Sequence, residues 1–355
     1  GKYKVEEVDT ITGTAIGRPK SASFRTADLV GIDTFCHVAK NVYDSLPNDE
    51  SREIFKLPDF LKNMVEKGML GDKTKHGFYK KIKGENTKEI LAIDYETLEY
   101  RKSEKAKFAS IENAKNYENV AERIKSLVYA KDRAGEFAWK SISNALIYSA
   151  NRIPEIADDI VNIDRAMRWG FNWDLGPFEI WDAIGVSHSV KRMEEEGKTI
   201  PAFVKSLLSS GKESFYKNEK GKTFYFDYQT LDYKEIDEKK GVVSLPSVKE
   251  RNKIVKKNAG ASLIDLGDDV LCLEFHSKMN SIGADIISLM KYAVTETEAN
   301  YKGLVIANEG ENFSVGANLM LLLLEAQDGN WDEIDLIVRE FQNANMALKY
   351  CTRPV

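Results

Sequence analysis

The chain has 355 residues, 43% hydrophobic and 30% charged, with a net charge of −5. That length suits two or three domains with cores of their own, and the acidic balance excludes a basic field for nucleic acid or an anionic membrane. No apolar run approaches the roughly 18 residues of a membrane span; Leu319–Leu324 is far too short. Cys36, Cys272 and Cys351 are odd in number and far apart, no secretory leader opens the chain, and no His/Cys spacing recommends a metal site. We therefore expect a reduced, cytoplasmic protein without metal.

Residues 3–13 predict a helix with Val5, Val8 and Ile11 on one face. A loop and short helix follow between Gly17 and Gly31. Asp33 is placed to cap a helix carrying Phe35, Val38, Val42 and Leu46. Pro58 opens another helix, with Phe60, Leu61, Met64 and Val65 apolar and Gly68 as its stop. Lys73–Tyr79 predicts a turn into an extended segment, and Ile90–Tyr100 a further extended piece. The charged stretch Lys102–Asn119 predicts a helical connector.

Gly135–Asn151 and Pro154–Trp169 predict two more helices, the second with Ile156, Ile160, Ile163 and Met167 on one side. In Gly176-Pro-Phe-Glu-Ile-Trp-Asp182, Pro177 suits the first helical position, Glu179 meets the positive helix end, and Gly185 suits a left-handed stop. A helix capped by Ser187, a helix over Pro201–Leu208 and a tail over Thr223–Tyr233 follow. Glu235–Asn258 predicts a linker. From Ala261 the pattern becomes strand (Ser262–Leu266), turn, strand (Val270–Phe275), helix (Asn280–Glu298), strand (Gly303–Ala307), loop and amphipathic helix (Trp331–Tyr350), the beginning of an α/β domain.

The chain repeats itself. Phe24, Asp28 and Gly31 are echoed by Phe178, Asp182 and Gly185 at one constant spacing. Pro58, Phe60 and Gly68 are echoed by Pro201, Phe203 and Gly211, and Asp94-Tyr-Glu-Thr-Leu-Glu-Tyr100 by Asp227-Tyr-Gln-Thr-Leu-Asp-Tyr233. Three matches in series predict a duplicated domain.

Gly176–Asp182 with Gly185, and Leu70-Gly71 through Gly77-Phe-Tyr79, resemble the C-terminal domain of L-3-hydroxyacyl-CoA dehydrogenases. Lys278-Met-Asn280, Gly303–Ala307 and Phe313-Ser-Val-Gly-Ala-Asn-Leu319 resemble the N-terminal half of a crotonase, or enoyl-CoA hydratase, domain. Together they resemble bacterial fatty-acid β-oxidation fusion proteins. The implied fold class is mainly α, a duplicated helical dehydrogenase domain, followed by an incomplete α/β crotonase-like ββα spiral. The expected organisation is 1–101 first domain without its first helix, 102–127 connector, 128–240 degenerate second copy, 241–260 linker, and 261–355 half of a crotonase. The chain then reads as an internal piece of a larger enzyme.

The resemblance implies an NAD-dependent 3-hydroxyacyl-CoA dehydrogenase with an enoyl-CoA hydratase-type domain. It implies an acyl-CoA substrate, a homodimer built through the helical domains, and a possible thiolase partner. No Gly-x-Gly-x-x-Gly follows a strand here, so NAD is expected on a separate domain. The family's early Asn-Arg pair falls at Trp139 and Lys140 in the second copy, which reads as catalytically silent. By resemblance the Ala317 N–H is an oxyanion donor, and Lys278, Gly316, Ala317, Asn318, Leu319 and Met320 contact the CoA moiety; a plain strand-to-helix loop is the alternative. Lys20 and Arg25 either meet CoA phosphates or a partner domain, or are solvated charges. His276 is either a proton carrier or structural, His37 and His188 are not metal ligands, and Trp139, Trp169, Trp173 and Trp181 read as core. Two other readings stay open: a helical scaffold without chemistry, and a weak acyl-CoA-binding module.

Overall fold

In the computed structural model, residues 3–83, 88–237, 241–251, 253–310 and 312–355 are described. They divide into two compact units, Gly1–Lys217 with Tyr225–Lys234, and Asn218–Phe224 with Glu235–Val355. The linker reading includes residues 238–240 and 252, which lie outside the described residues. Helices predominate and the sheets are small, so the class is mixed α/β.

The first unit opens with α1 (Val5–Thr12), α2 (Phe24–Val30), α3 (Ile32–Ser45) and α4 (Asp59–Glu66), then an antiparallel meander of β1 (Tyr79–Lys83), β2 (Lys88–Ile93) and β3 (Tyr100–Lys102). Val5, Ile32, Leu61, Met64, Phe78 and Ile93 form its core. The connector folds as α5 (Ala109–Ala114) and α6 (Val120–Val128). There follow α7 (Arg133–Asn151), α8 (Ile160–Phe171), α9 (Pro177–Ile184), α10 (Val186–Glu195) and α11 (Ala202–Ser209). A second meander is made of β4 (Tyr216–Glu219), β5 (Lys222–Asp227) and β6 (Asp232–Glu235).

Each helical module is held by two carboxylates. Asp9 of α1 accepts hydrogen bonds from the Ser23, Phe24 and Arg25 backbone N–H groups and from the Tyr79 hydroxyl, at 2.6–3.1 Å. Asp164 of α8 accepts from the N–H groups of Phe178 and Glu179 and from the Tyr216 hydroxyl, at 2.8–3.1 Å. Asp28 accepts from Phe78 and Tyr79 N–H, and Asp182 from Phe215 and Tyr216 N–H. The first carboxylate thus satisfies the open N–H groups at the start of the short helix, and the second ties that helix to the first strand. The Phe24 ring packs at a tilt against Phe78 at 4.5 Å, and Phe178 meets Phe215 edge to face at 5.0 Å.

This arrangement needs glycine beside the carboxylates. A Cβ on Gly77 would sit 2.1 Å from an Asp28 oxygen, and one on Gly176 would sit 2.3 Å from the Asp164 Cβ. Burial pushes the carboxyls up: Asp28 to about 6, Asp164 and Asp182 to about 7, with their backbone N–H donors acting in the opposite direction.

Several local expectations are corrected. Gly31, at φ +102°, precedes α3, and Asp33 makes no cap; its carboxylate pairs with Lys73. Gly185, at φ +88°, precedes α10 in place of a Ser187 cap. Asp159 caps α8 through the Asn162 N–H, so this helix starts at Ile160, and Ile156 is exposed. On α3 the buried positions are Ile32 and Cys36, while Phe35, Val38 and Leu46 face solvent.

The second unit contains α12 (Leu245–Glu250), β7 (Ile254–Lys257), β8 (Ala261–Gly267), β9 (Val270–Phe275), α13 (Ala284–Asn300), β10 (Gly303–Ile306), α14 (Leu319–Gln327) and α15 (Trp331–Lys349). The stretch 241–260 is therefore not bare linker: β7 adds antiparallel to β8. The sheet runs β10-β9-β8-β7, with β8 and β9 antiparallel and β9 and β10 parallel across α13. Its core is Leu263, Leu271, Leu273, Phe275, Ile286 and Met290 with neighbours on α13 and α15.

Candidate functional site

In the second unit, the turn Lys278–Asn280 and the loop 312–318 are knitted together. The Asn280 side-chain amide donates to the Asn312 carbonyl at 2.9 Å, and the Ser314 hydroxyl donates to the Asn280 carbonyl at 2.7 Å. The Ile282 N–H donates to the Gly316 carbonyl at 2.8 Å, and the Asn318 N–H donates to the Ile282 carbonyl at 3.1 Å. This is a parallel bridge between Ile282 and Ala317. Its two bonds use the groups on either side of Ala317, so the Ala317 N–H and C=O point away from Ile282. Gly316 makes the approach possible at φ +88°. Asn318 accepts from the Met320 N–H and caps α14.

A cleft of about 430 Å³ opens here, lined by Ile282, Ile287, Ala317, Asn318, Leu336 and Phe341 among others. The Lys291–Glu340 ion pair also lines it. It combines an apolar wall with an N–H aimed away from the sheet bridge, a combination able to hold a carbonyl and an attached alkyl chain. Of the positions singled out in the sequence, Ala317 and Asn318 line this cleft. Leu319, Met320 and Lys278 are exposed and do not appear in its lining, and Gly316 contributes the backbone turn.

The first unit carries a larger cleft, about 1200 Å³, lined by Asp9, Lys20, Arg25, Asp72, Tyr79 and Lys81 among others. Arg25 is committed: its guanidinium forms a two-pronged pair with Asp72 at 2.5 and 2.6 Å. Lys20 stands exposed on the rim. Burial pushes the Asp9 carboxyl up, and burial together with Asp9 pushes the Tyr79 hydroxyl up. Sequence reasoning missed Asp9, Asp72 and Tyr79. The available signal was the echo of Asp9 and Tyr79 at Asp164 and Tyr216.

Trp139 is buried, donating its indole N–H to Glu196 at 2.6 Å beneath the Arg192 guanidinium. Trp181 is also core, Trp173 is half-buried under Arg18, and Trp169 is 66% exposed, which corrects its assignment to the core. The Ser262 hydroxyl and the His276 ring lie 3.0 Å apart, and His276 is exposed. Among the described residues no cluster of His, Cys, Asp or Glu could hold a metal ion, and no helix is long and apolar enough to cross a membrane.

Residues 1–81 match the family described as 3-hydroxyacyl-CoA dehydrogenase, C-terminal domain. Over all 355 residues the chain is 50% identical to a "Probable 3-hydroxyacyl-CoA dehydrogenase" of Bacillus subtilis (strain 168), covering 44% of that protein. Over 97% of its length it is 26% identical to a "Putative fatty acid oxidation complex trifunctional enzyme" of Rickettsia felis, covering 43% of it. An 82-residue stretch, 23% of each chain, is 51% identical to a "Probable 3-hydroxyacyl-CoA dehydrogenase" of Deinococcus radiodurans. The chain spans less than half the length of these relatives. The stretch that matches this family, residues 1–81, is the one whose helices gather on the Asp9 and Asp28 carboxylates.

Proposed function

We propose that this chain supplies substrate-domain surfaces of an NAD-dependent L-3-hydroxyacyl-CoA dehydrogenase of fatty-acid β-oxidation, in the cytoplasm. The observation that carries the reading is the identity of half the residues, end to end, with a relative of that name. The paired Asp9/Asp28 and Asp164/Asp182 networks support reading 128–240 as a degenerate second copy of 1–101. In that copy Trp139 is a packed core residue where the family resemblance implies a polar Asn, so the copy serves structure. The proposed assembly is a homodimer through the helical modules, with a thiolase as a further partner.

The β9–α13 connection does not build a seat for NAD. Such a seat needs a glycine-rich turn leading straight from a parallel strand into a helix N-terminus. Here β9 reaches α13 through Ser277–Gly283, which has no such turn. We therefore assign these residues no hydride-transfer step.

For residues 261–355 we propose a crotonase-type role. The order strand, strand, helix, strand and the outward Ala317 N–H support it. Ala317 would donate to a thioester oxygen, and Gly316, Asn318, Leu319, Met320 and Lys278 would flank the CoA moiety. The rival reading, a scaffold without chemistry, is favoured by the burial of Trp139 for the second module alone.

A chimera tests the proposal. These 355 residues replace the aligned stretch of the Bacillus subtilis relative, and NADH formation from a 3-hydroxyacyl-CoA is followed at 340 nm. Turnover within tenfold of the unaltered relative is expected. A folded chimera, verified by circular dichroism, that turns over no 3-hydroxyacyl-CoA would defeat the assignment.

A further inference from the structure

The cleft beside Ala317 is a trough between two helices. Ala284, Ile287 and Lys291 line it from α13, and Ile337, Glu340 and Phe341 from α15. Each set recurs at steps of three and four residues, so each belongs to one helix face. The helices run in the same direction. Lys291 pairs with Glu340, and further along α13 the Glu298 carboxylate accepts the N–H of Thr352, just past the end of α15. The Ile282–Ala317 bridge lies just before the start of α13, and Lys291 is the last residue of α13 in the lining. Ala317 therefore stands at one end of the trough and the ion pair at the other.

Between those ends the walls are apolar. Leu336, which also lines the trough, is 52% exposed, an open side chain stabilised by anything apolar laid over it. The far end is different. The Lys291 and Glu340 side chains keep 38% and 44% of their surface in water. Methylenes laid on the pair would strip that water and return no hydrogen bond. An alkyl chain running from Ala317 is thus stabilised as far as the pair and no further.

Helix rise sets the length. From Ala284 to Lys291 the helix advances about 10 Å, and an extended chain covers that in about eight bonds at roughly 1.2 Å each. Lys291 leans back toward the start of α13, as helical side chains do, which shortens the span to about six to eight carbons.

We propose that this trough holds the acyl chain of the thioester, and that the Lys291–Glu340 pair is the specificity determinant that limits it to medium length. The inference rests on the crotonase-type reading of residues 261–355.

The test is calorimetry of the full chain with butyryl-, hexanoyl-, octanoyl-, decanoyl- and dodecanoyl-CoA. Affinity is expected to rise by about fourfold per methylene up to octanoyl-CoA, and by less than threefold in all from octanoyl- to dodecanoyl-CoA. Lys291→Met with Glu340→Leu makes the far end apolar. Dodecanoyl-CoA is then expected to bind at least tenfold tighter, with butyryl-CoA unchanged within twofold. Lys291→Glu with Glu340→Lys restores a pair of reversed sense and with it the wild-type profile. Wild-type affinity that climbs at the same rate past octanoyl-CoA overturns the inference. So does a wild-type profile in the apolar variant, whose melting temperature certifies its fold. Gly316→Val with butyryl-CoA tests the underlying reading by itself. Binding lost there, while the wild-type profile climbs without limit, leaves the crotonase-type reading standing and removes only the length limit. Butyryl-CoA binding that Gly316→Val leaves intact, or no binding of any of the five thioesters, removes both.

Discussion

Asp182 offers a quantitative test of how the helical modules are held. Its buried carboxylate accepts the Phe215 N–H at 2.6 Å and the Tyr216 N–H at 2.8 Å, and burial pushes its carboxyl up to about 7. In the unfolded chain the group titrates near 3.9. Between those values the folded state binds the proton more tightly, so the stability this group contributes is greatest at low pH and is lost as the pH rises through 7. From pH 5.5 to pH 8 the loss amounts to about 2 kcal/mol, because folded protonation persists to about 7 while the unfolded group is already ionised at 5.5. Asp182→Asn removes the titration but keeps the shape. It leaves one buried N–H poorly met, a cost of about 1–3 kcal/mol at pH 5.5. At pH 8 the same substitution also relieves an ionised, desolvated carboxylate, so the deficit shrinks by about 2 kcal/mol or reverses. The assay is urea unfolding at both pH values, read by tryptophan emission. Trp181 is fully buried against Phe215 and reports this module directly. A difference between variant and wild type that is the same at pH 5.5 and pH 8 would refute the argument.

Four other outcomes follow from the same geometry. Gly176→Ala places a Cβ 2.3 Å from the Asp164 Cβ and should destabilise the first unit by more than about 2 kcal/mol in a urea melt. Arg25→Ala breaks the two-pronged pair with the half-exposed Asp72 and should cost about 1 kcal/mol, less in high salt, whereas Lys20→Ala at the exposed rim should leave the melting temperature unchanged. A thiol reagent should modify half-buried Cys351 first and reach Cys36 and Cys272 only on unfolding, since both are buried and burial pushes the Cys272 thiol up to about 11. Gly316→Val forces a β-branched residue to φ +88° at a cost of about 1–2 kcal/mol, and acetoacetyl-CoA binding measured by calorimetry should be lost if the Ala317 N–H is a thioester contact.

How much of this was legible in the sequence depends on how local the cause is. Pro177 and Gly185 announced α9 because a fixed φ and a left-handed stop act within single residues, and both stand where the pattern placed them. Strand, turn and strand over 262–275 were legible because short apolar runs and a Gly-Asp-Asp turn are short-range signals. Caps were read less well. Asp33 and Ser187 have the right chemistry at the right places, but Gly31 and Gly185 already supply the sharp entry into α3 and α10, and the Lys73 ammonium captures Asp33. The carboxylates that organise each module were invisible one at a time, since Asp9 reaches Tyr79 across 70 residues. They become readable only as a pair of pairs, where Asp9, Asp28 and Tyr79 find Asp164, Asp182 and Tyr216. The same logic explains the α3 stripe. Periodicity identified an apolar face but not its burial, for a period of 3.6 says that a face seeks a partner and is silent on which element supplies it. In the second module α7 is that element. In the first, Ile32 and Cys36 turn inward while Phe35, Val38 and Leu46 remain uncovered among the described residues.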